Sequence, residues 1–254
     1  MAQVLDKLSE KSKSQGSTQS EISQMTQLKE KLSEKIQAHR PRTAKLLKEN
    51  ADVVIDKVDI GQCIGGARDV RCLVTDVSYL DPQEGIRFRG KTIPETFAAL
   101  PKASGSTYPT VESFWYFLLT GEIPTQAQVD EVLAQWKTRQ EVPKYVFDVL
   151  RALPRDSHPM VMLSTGVLAL QKDSKFVAHY NSGKFNKMNA WESLYEDASD
   201  LVARIPVIAA FIYNLKYRDD KQVAIDSKLD MGANFAHMIG QSEEYKDVAR
   251  MYFI

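Results

Sequence analysis

Apolar positions fall in two different rhythms along this chain. Met25, Leu28, Leu32 and Ile36 recur every three or four positions among charged residues, the pattern of one face of an exposed amphipathic helix. Pro41 is expected to end that helix, because proline removes a backbone donor and clashes with the preceding turn. From Val53 to Gly90 the rhythm changes to β-branched residues in short alternating runs (VVIDKVDI, RCLVTDVSYL, IRFRG), punctuated by Gly65-Gly66 and Asp81-Pro82. That pattern predicts a few short strands joined by turns.

Helical signals dominate after Gly90. Thr110 is placed to cap a helix whose first turn holds Glu112, whose apolar run extends to Leu119, and whose end is marked by Gly121. Thr125 and Gln128 form a capping box ahead of Val129, Val132, Leu133 and Trp136, a stripe that packs by one face. Further helices are predicted from Lys144 to Leu153, from Pro159 to Leu170 and from Asn189 to Tyr217, the last kinked or split around Ile205 by Pro206. Ser242 is expected to open a final helix with Tyr245, Val248, Ala249 and Tyr252 on one side. The apolar MYFI has no closing glycine, asparagine or basic residue, so the chain is expected to stop within an element. The whole reads as mainly α, one predominantly helical domain with a small strand-rich region near the N-terminus. Residues 1–24, rich in Ser, Gln and Lys, are expected to form a flexible tail.

Composition narrows the function classes. Lysine plus arginine and aspartate plus glutamate both number 33, so no net field favours nucleic acid or an anionic membrane. The longest apolar stretch, around Val207–Ile212, is too short to span a bilayer, which needs about 20 apolar residues. Cys63 and Cys72 match neither zinc nor Cys-x-x-Cys spacing and read as reduced, packed thiols. The start of the chain has no arginine and contains Asp6, Glu10 and Glu21, a poor mitochondrial presequence.

Candidate chemistry is sparse. Of the four histidines, His39 is expected at the surface and His179 in a polar loop. His158 precedes Pro159 as a cap or packing residue, and His237 in DMGANFAHMIG is read as packing rather than a ligand-binding group. No metal motif is present. The turn Gly61-Gln-Cys-Ile-Gly65-Gly66-Ala-Arg68 places a guanidinium after a flexible segment, which suits either a phosphate site or a solvated hairpin. Arg87 and Arg89 alternate with Ile86 and Phe88 and are expected on one solvated or ion-paired strand face.

The string LDPQEGIRFRGKTIPE (Leu80–Glu95) resembles the segment that opens the core of eukaryotic-type citrate synthases. The resemblance continues through FWYFLLTGEIPT (Phe114–Thr125), HPM (His158–Met160), WESLYEDASDLVARIP (Trp191–Pro206), AIDSKLD (Ala224–Asp230) and the pair Asn234–Phe235. It implies a mainly α-helical homodimer with a large domain and a smaller one that closes over the substrates. It also implies a reaction: a histidine and an aspartate promote enolisation of acetyl-CoA, another histidine polarises oxaloacetate, and citryl-CoA is hydrolysed to citrate and CoA.

The resemblance further implies that residues 25–254 are the N-terminal portion of the large domain. The family's catalytic residues and oxaloacetate-binding arginines are then expected beyond Ile254, leaving no catalytic residue in this chain. Arg68 matches an arginine that contacts the CoA phosphates. Lys187 falls at a second CoA-contacting basic position, with Asn186 as its alternative because the alignment needs an insertion before Trp191. Where animal enzymes carry a substrate-binding histidine before Asn-Phe, this chain has Ala233, and His237 lies one helical turn later. No cofactor is expected, acetyl-CoA being a substrate. The implied compartment is the mitochondrial matrix, with the cytoplasm as the alternative. A non-catalytic dimer partner or filament component is the other reading of function, and 2-methylcitrate synthesis the other reading of acyl specificity.

Overall fold

The computed structural model describes residues 26–71 and 74–254. The expected flexible tail, Met25 and Cys72 lie outside the described residues. Helix α1 spans Gln27–Asn50, with the Thr26 hydroxyl capping the Lys29 N–H. It does not end at Pro41. Ala44, Lys45, Leu46, Leu47, Lys48 and Glu49 are strong helix formers and carry it onward after the one hydrogen bond lost at proline. The expected face is used only in its first half: Leu28 is buried, whereas everything from Pro41 to Asn50 is exposed.

The strand-rich region is smaller than its pattern suggests. Val53–Asp59 forms no strand, and Ile60–Ile64 is a short helix, α2, opened by a reciprocal capping box between Asp59 and Gln62. Val53, Val54, Ile55, Val58 and Ile60 are all exposed. β-propensity expresses packing on a half-buried surface, and no neighbouring strand among the described residues supplies one here. The sheet that does form is antiparallel, ordered β1 (Ser78–Asp81), β2 (Gly85–Phe88) and β3 (Lys91–Thr92). Ser78 pairs with Phe88 and Arg87 with Thr92. Arg89 lies past β2 with φ 48°, so it does not share a strand face with Arg87. Its guanidinium donates to the carbonyls of Leu118 (2.6 Å) and Leu119 (3.1 Å), while Arg87 pairs with Glu84.

Beyond the sheet the chain is helical: α3 (Ile93–Ala99), α4 (Val111–Thr120), α5 (Gln126–Arg139), α6 (Lys144–Ala152) and α7 (Pro159–Ala169). A 3-10 turn (Leu170–Asp173) leads to α8 (Lys175–Asn181), followed by α9 (Ala190–Tyr217), α10 (Met231–Met238) and α11 (Tyr245–Phe253). The caps read from sequence form as expected: Thr110 accepts from the Ser113 N–H, Gly121 closes α4 at φ 74°, and Thr125 and Gln128 cap each other. Arg89 therefore grips the carbonyl end of α4, where a cation complements the helix dipole.

Helix α9 is the spine and runs unbroken through Pro206. Its apolar lower half, Ile208, Phe211, Ile212 and Leu215, forms one core cluster with Val146 and Leu150 of α6 and Met162 of α7. Its upper half joins a second cluster in which Tyr195 and Ala203 meet Leu28, Tyr116, Val132 and Trp136. Burial on several sides holds the helix together where proline alone would break it. The helix is long and apolar enough to cross a membrane, with a mean hydropathy of 1.4 over its best window, but half of that window is buried inside the fold.

The C-terminal helix differs from expectation. It begins at Tyr245 without a side-chain cap, and Ser242 lies outside it. The stripe of Tyr245, Val248 and Tyr252 faces outward. The packed side is instead built on Arg250, which is buried, and Phe253, whose ring meets Phe235 edge-on at 5.2 Å. Ile254 packs against the cluster of Leu100, Phe114 and Phe117.

Candidate functional site

Arg68 stands in a tight turn directly after α2. Gly66, Ala67 and Asp69 all have positive φ (78°, 58° and 60°), the Ala67 N–H donates to the Gln62 carbonyl at 2.8 Å, and the Gln62 amide donates to the Arg68 carbonyl at 3.3 Å. The backbone is thereby fixed while the side chain is exposed. Among the described residues no carboxylate pairs with its guanidinium, so its five donors face solvent. Cys63, on the preceding helix, is exposed rather than packed, because α2 buries none of its residues.

Lys187 occupies the loop between α8 and α9 and is also exposed. The Asn186 side chain accepts the Met188 N–H at 2.9 Å, and the Arg40 guanidinium donates to the Met188 carbonyl at 2.5 Å. Asn186 is therefore occupied in shaping the loop, while Lys187 projects from it. The tether from α1 was not legible in the sequence, since it joins residues far apart. No hydrogen bond or ion pair among the described residues joins Arg68 to Lys187.

A cleft of about 540 Å³ beside α1 gathers Lys35, His39, Arg40, Arg42, Asp76 and Arg89. Most of its positive charge has partners. Lys35 pairs with Glu122 at 2.5 Å, Arg89 is spent on α4 and on Asp76, and Arg40 holds the Lys187 loop. The cleft is a brace more than an anion site.

The histidines serve structure. His158 Nδ1 accepts the Met160 N–H at 3.2 Å as the N-cap of α7. His179 lies within α8, not in a loop, with Nδ1 3.2 Å from the Ser193 hydroxyl. His237 Nε2 donates to the Ala224 carbonyl at 3.1 Å, which ties α10 to the preceding segment. Ala233 is fully buried. His39 is exposed beside Asp76. Among the described residues no three His, Cys, Asp or Glu side chains converge on a metal-sized point.

Two carboxylates are strongly perturbed. Burial pushes Glu112 up to about 7; the Met231 N–H opposes the shift and the nearby charge of Asp230 adds to it. For Glu196, burial acts upward too, but hydrogen bonds from Lys29 and Arg139 override it and bring the carboxyl down to about 2. Glu196 accepts from Lys29 at 2.8 Å and from Arg139 at 2.7 Å, and Arg139 also reaches Asp200 at 2.6 Å. This network fastens α1, α5 and α9 together. Bonded to two cations that join three helices, Glu196 is perturbed by a structural ion-pair network.

Comparison with known proteins places these features. The family described as "Citrate synthase, C-terminal domain" matches residues 66–254. The mitochondrial citrate synthase of Saccharomyces cerevisiae is 43% identical over 226 residues, covering 89% of this chain and 47% of its own length. The mitochondrial 2-methylcitrate synthase of Yarrowia lipolytica is 42% identical over 228 residues, covering 89% of this chain and 49% of its own. The chain thus spans about half the length of the curated relatives it matches. Its fold follows the citrate synthase of Pyrobaculum aerophilum with a TM-score of 0.62 at 25% identity, over 78% of this chain and 49% of that one. The chain belongs to the citrate synthase family.

Proposed function

We propose that this chain is part of a citrate synthase that condenses acetyl-CoA with oxaloacetate to give citrate and CoA, acting as a homodimer in the mitochondrial matrix. The observation that carries this reading is the family match over residues 66–254, joined by mitochondrial relatives at about 40% identity. The matched segment is the helical frame of the large domain. Arg68, exposed on a fixed turn, and Lys187, projecting from a tethered loop, are the positions for the CoA phosphates. Catalysis needs an acid–base pair at the acetyl methyl group and a donor at the oxaloacetate carbonyl. His158, His179 and His237 are engaged in capping and packing and His39 is exposed beside Asp76, which supports placing those groups in segments outside this chain. On this reading the chain alone is expected not to turn over.

The test is release of free CoA from acetyl-CoA and oxaloacetate by the 254-residue chain, run beside a version extended by the remainder of the relatives' length. Turnover only by the extended version supports the reading. Turnover by the short chain overturns the assignment of the catalytic groups to other segments. The near-equal identities to a citrate synthase and a 2-methylcitrate synthase leave the acyl donor to the same assay with propionyl-CoA in place of acetyl-CoA. A preference for acetyl-CoA supports citrate as product.

A further inference from the structure

Glu112 is the most enclosed ionisable group whose role neither CoA binding nor condensation uses. It lies in the first turn of α4 and is 0% exposed. One carboxyl oxygen, Oε1, accepts the N–H of Met231, the first residue of α10, at 2.9 Å. The other, Oε2, is buried and has no partner among the described residues. Glu112 is among the residues lining a small cavity, together with Trp136, Pro206, Leu229, Met231 and Asn234. The cavity measures about 20 Å³, the size of a single water.

The charges around this carboxyl do not neutralise it. Asp230, the N-cap of α10, brings a second negative charge. Arg250 of α11 is taken by Asp230 and Asp247. Lys137 of α5 lines the cavity without bonding to Glu112, and α9 contributes only Ala203, Pro206 and Val207. The N–H groups of Met231 and of Glu112 itself and the Thr110 hydroxyl favour an ionised carboxylate here, but burial without a counter-charge outweighs them, whereas a neutral acid keeps Oε1 as acceptor for Met231 and needs no counter-charge.

What Glu112 holds is itself a fastening. Asn234 of α10 accepts the Asp226 N–H at 3.1 Å and donates to the Asp226 carbonyl at 3.0 Å, pinning the segment that leads into the helix. We propose that Glu112 is a proton-linked latch: the start of α10, and through Asn234 the Asp226 segment, stays closed on α4 while Glu112 is a neutral acid, and ionisation favours opening of both, because the enclosed carboxylate gains from water more than its bond from the Met231 N–H supplies.

The sign follows from burial. The carboxyl is raised from 4.5 to about 7 on folding, so the folded chain holds the proton more tightly than the unfolded one. Its stabilising share is complete below about 4.5, falls as pH rises, and is lost once pH passes about 7.

The experiment compares the wild-type chain with E112Q, in which a neutral amide replaces the acid, by denaturant unfolding from about pH 5 to pH 8. The wild-type unfolding constant should rise roughly tenfold per pH unit relative to E112Q up to about 7 and then level off. Hydrogen exchange of the Met231–Asn234 amides, corrected for intrinsic rates, should speed up with pH in wild type and not in E112Q. Parallel unfolding curves overturn the proposal. Should E112Q fail to fold, infrared spectra of the wild-type chain carrying isotope-labelled glutamate decide the matter: a buried protonated-carboxyl band at pH 6 that fades above 7 supports the latch, and an ionised Glu112 at pH 6 overturns it.

Discussion

Arg250 grips Asp230 from the adjacent helix, with Nη2 2.6 Å from Oδ2 and Nε 3.2 Å from both carboxylate oxygens. Both side chains are nearly closed to solvent, at 9% and 11% exposure. Asp230 works twice, since its Oδ1 also caps α10 through the Ala233 N–H at 3.1 Å. Gly232 permits the approach: a Cβ there would meet the Arg250 Cγ at 2.8 Å and its Cα at 3.0 Å. The two helices are therefore locked by one buried pair and one missing side chain.

Removing one partner leaves the other charged and enclosed. R250M should destabilise the chain by about 3 kcal/mol, and D230N/R250M by less, because the double variant leaves no uncompensated buried charge, Asp247 being the more exposed partner. Urea unfolding of R250M, D230N and the double variant measures the coupling. Additive losses would mean that the pair acts independently of its geometry.

Glu196 makes the acid limb of stability specific. Its carboxyl is held at about 2 against an ordinary 4.5, so the folded state favours the ionised form, and this stability is complete above 4.5 and lost as pH falls toward 2. The side chain is 21% exposed, and screening reduces the gain to about 1–2 kcal/mol at neutral pH. E196Q should therefore be less stable than wild type at pH 7, with the gap shrinking below about pH 4.5. An unchanged gap down to about pH 3 would place the stabilising charge elsewhere in the network.

Gly166 marks where α7 meets the spine. A Cβ at this position would lie 3.1 Å from the Ile208 Cγ2 and 3.5 Å from the Leu150 Cδ1, in a core where both neighbours are fully buried. G166A adds a methyl group to packed space and should cost about 1–3 kcal/mol, although alanine is the better helix former. Equal or higher thermal stability of G166A would show that Ile208 and Leu150 yield without penalty.

Local signals were the legible part of this chain. Thr110, Gly121, Thr125 and Gln128 act within four residues of their targets, and their roles could be read directly from spacing. His158 was legible for the same reason. Some misreadings involve a competing long-range term. Pro206 does not split α9 because burial on several sides holds both halves, and the β-branched run from Val53 makes no strand because no strand among the described residues pairs with it. Arg89 looked like a strand residue, yet a left-handed backbone at its own position swings it onto the end of α4. At the candidate site, the turn that holds Arg68 was legible as either a phosphate site or a solvated hairpin, and resemblance favoured the first, whereas Lys187 came from resemblance alone. The Arg40 tether, the Glu112 cavity and the Glu196 network each join residues remote in sequence, and pattern reading has no access to such pairs.

Exposed apolar residues predict association. On α11, Tyr245 (50%), Val248 (47%), Met251 (46%) and Tyr252 (86%) lie open, and Leu47, Ile60 and Ile64 are open at the other end of the chain. Contiguous apolar surface is uncommon on monomers. The 254-residue chain should self-associate and bind a hydrophobic dye, and V248E/Y252E should weaken both while changing unfolding stability by no more than about 0.5 kcal/mol. Sedimentation and dye fluorescence check this. A dye-silent monomer that unfolds cooperatively would show that these faces are tolerated in isolation.

The CoA assignment makes a graded prediction. Arg68 offers a planar fork of donors on a rigid turn, suited to bidentate contact with phosphate, so R68A should weaken CoA binding about tenfold, or ~1.4 kcal/mol. R68K keeps the charge without the fork and should fall between R68A and wild type. Lys187 carries a point charge on an exposed loop, so K187A should cost less and its effect should fade at high salt. Asn186 shapes its loop through the Met188 N–H, and N186A should act only indirectly, as should R40A, which frees the Met188 carbonyl. Titration of CoA at low and high salt separates these outcomes. Wild-type affinity in R68A would move the phosphate contact off this turn, and a larger, salt-insensitive loss in N186A than in K187A would assign the second position to the amide instead of the ammonium.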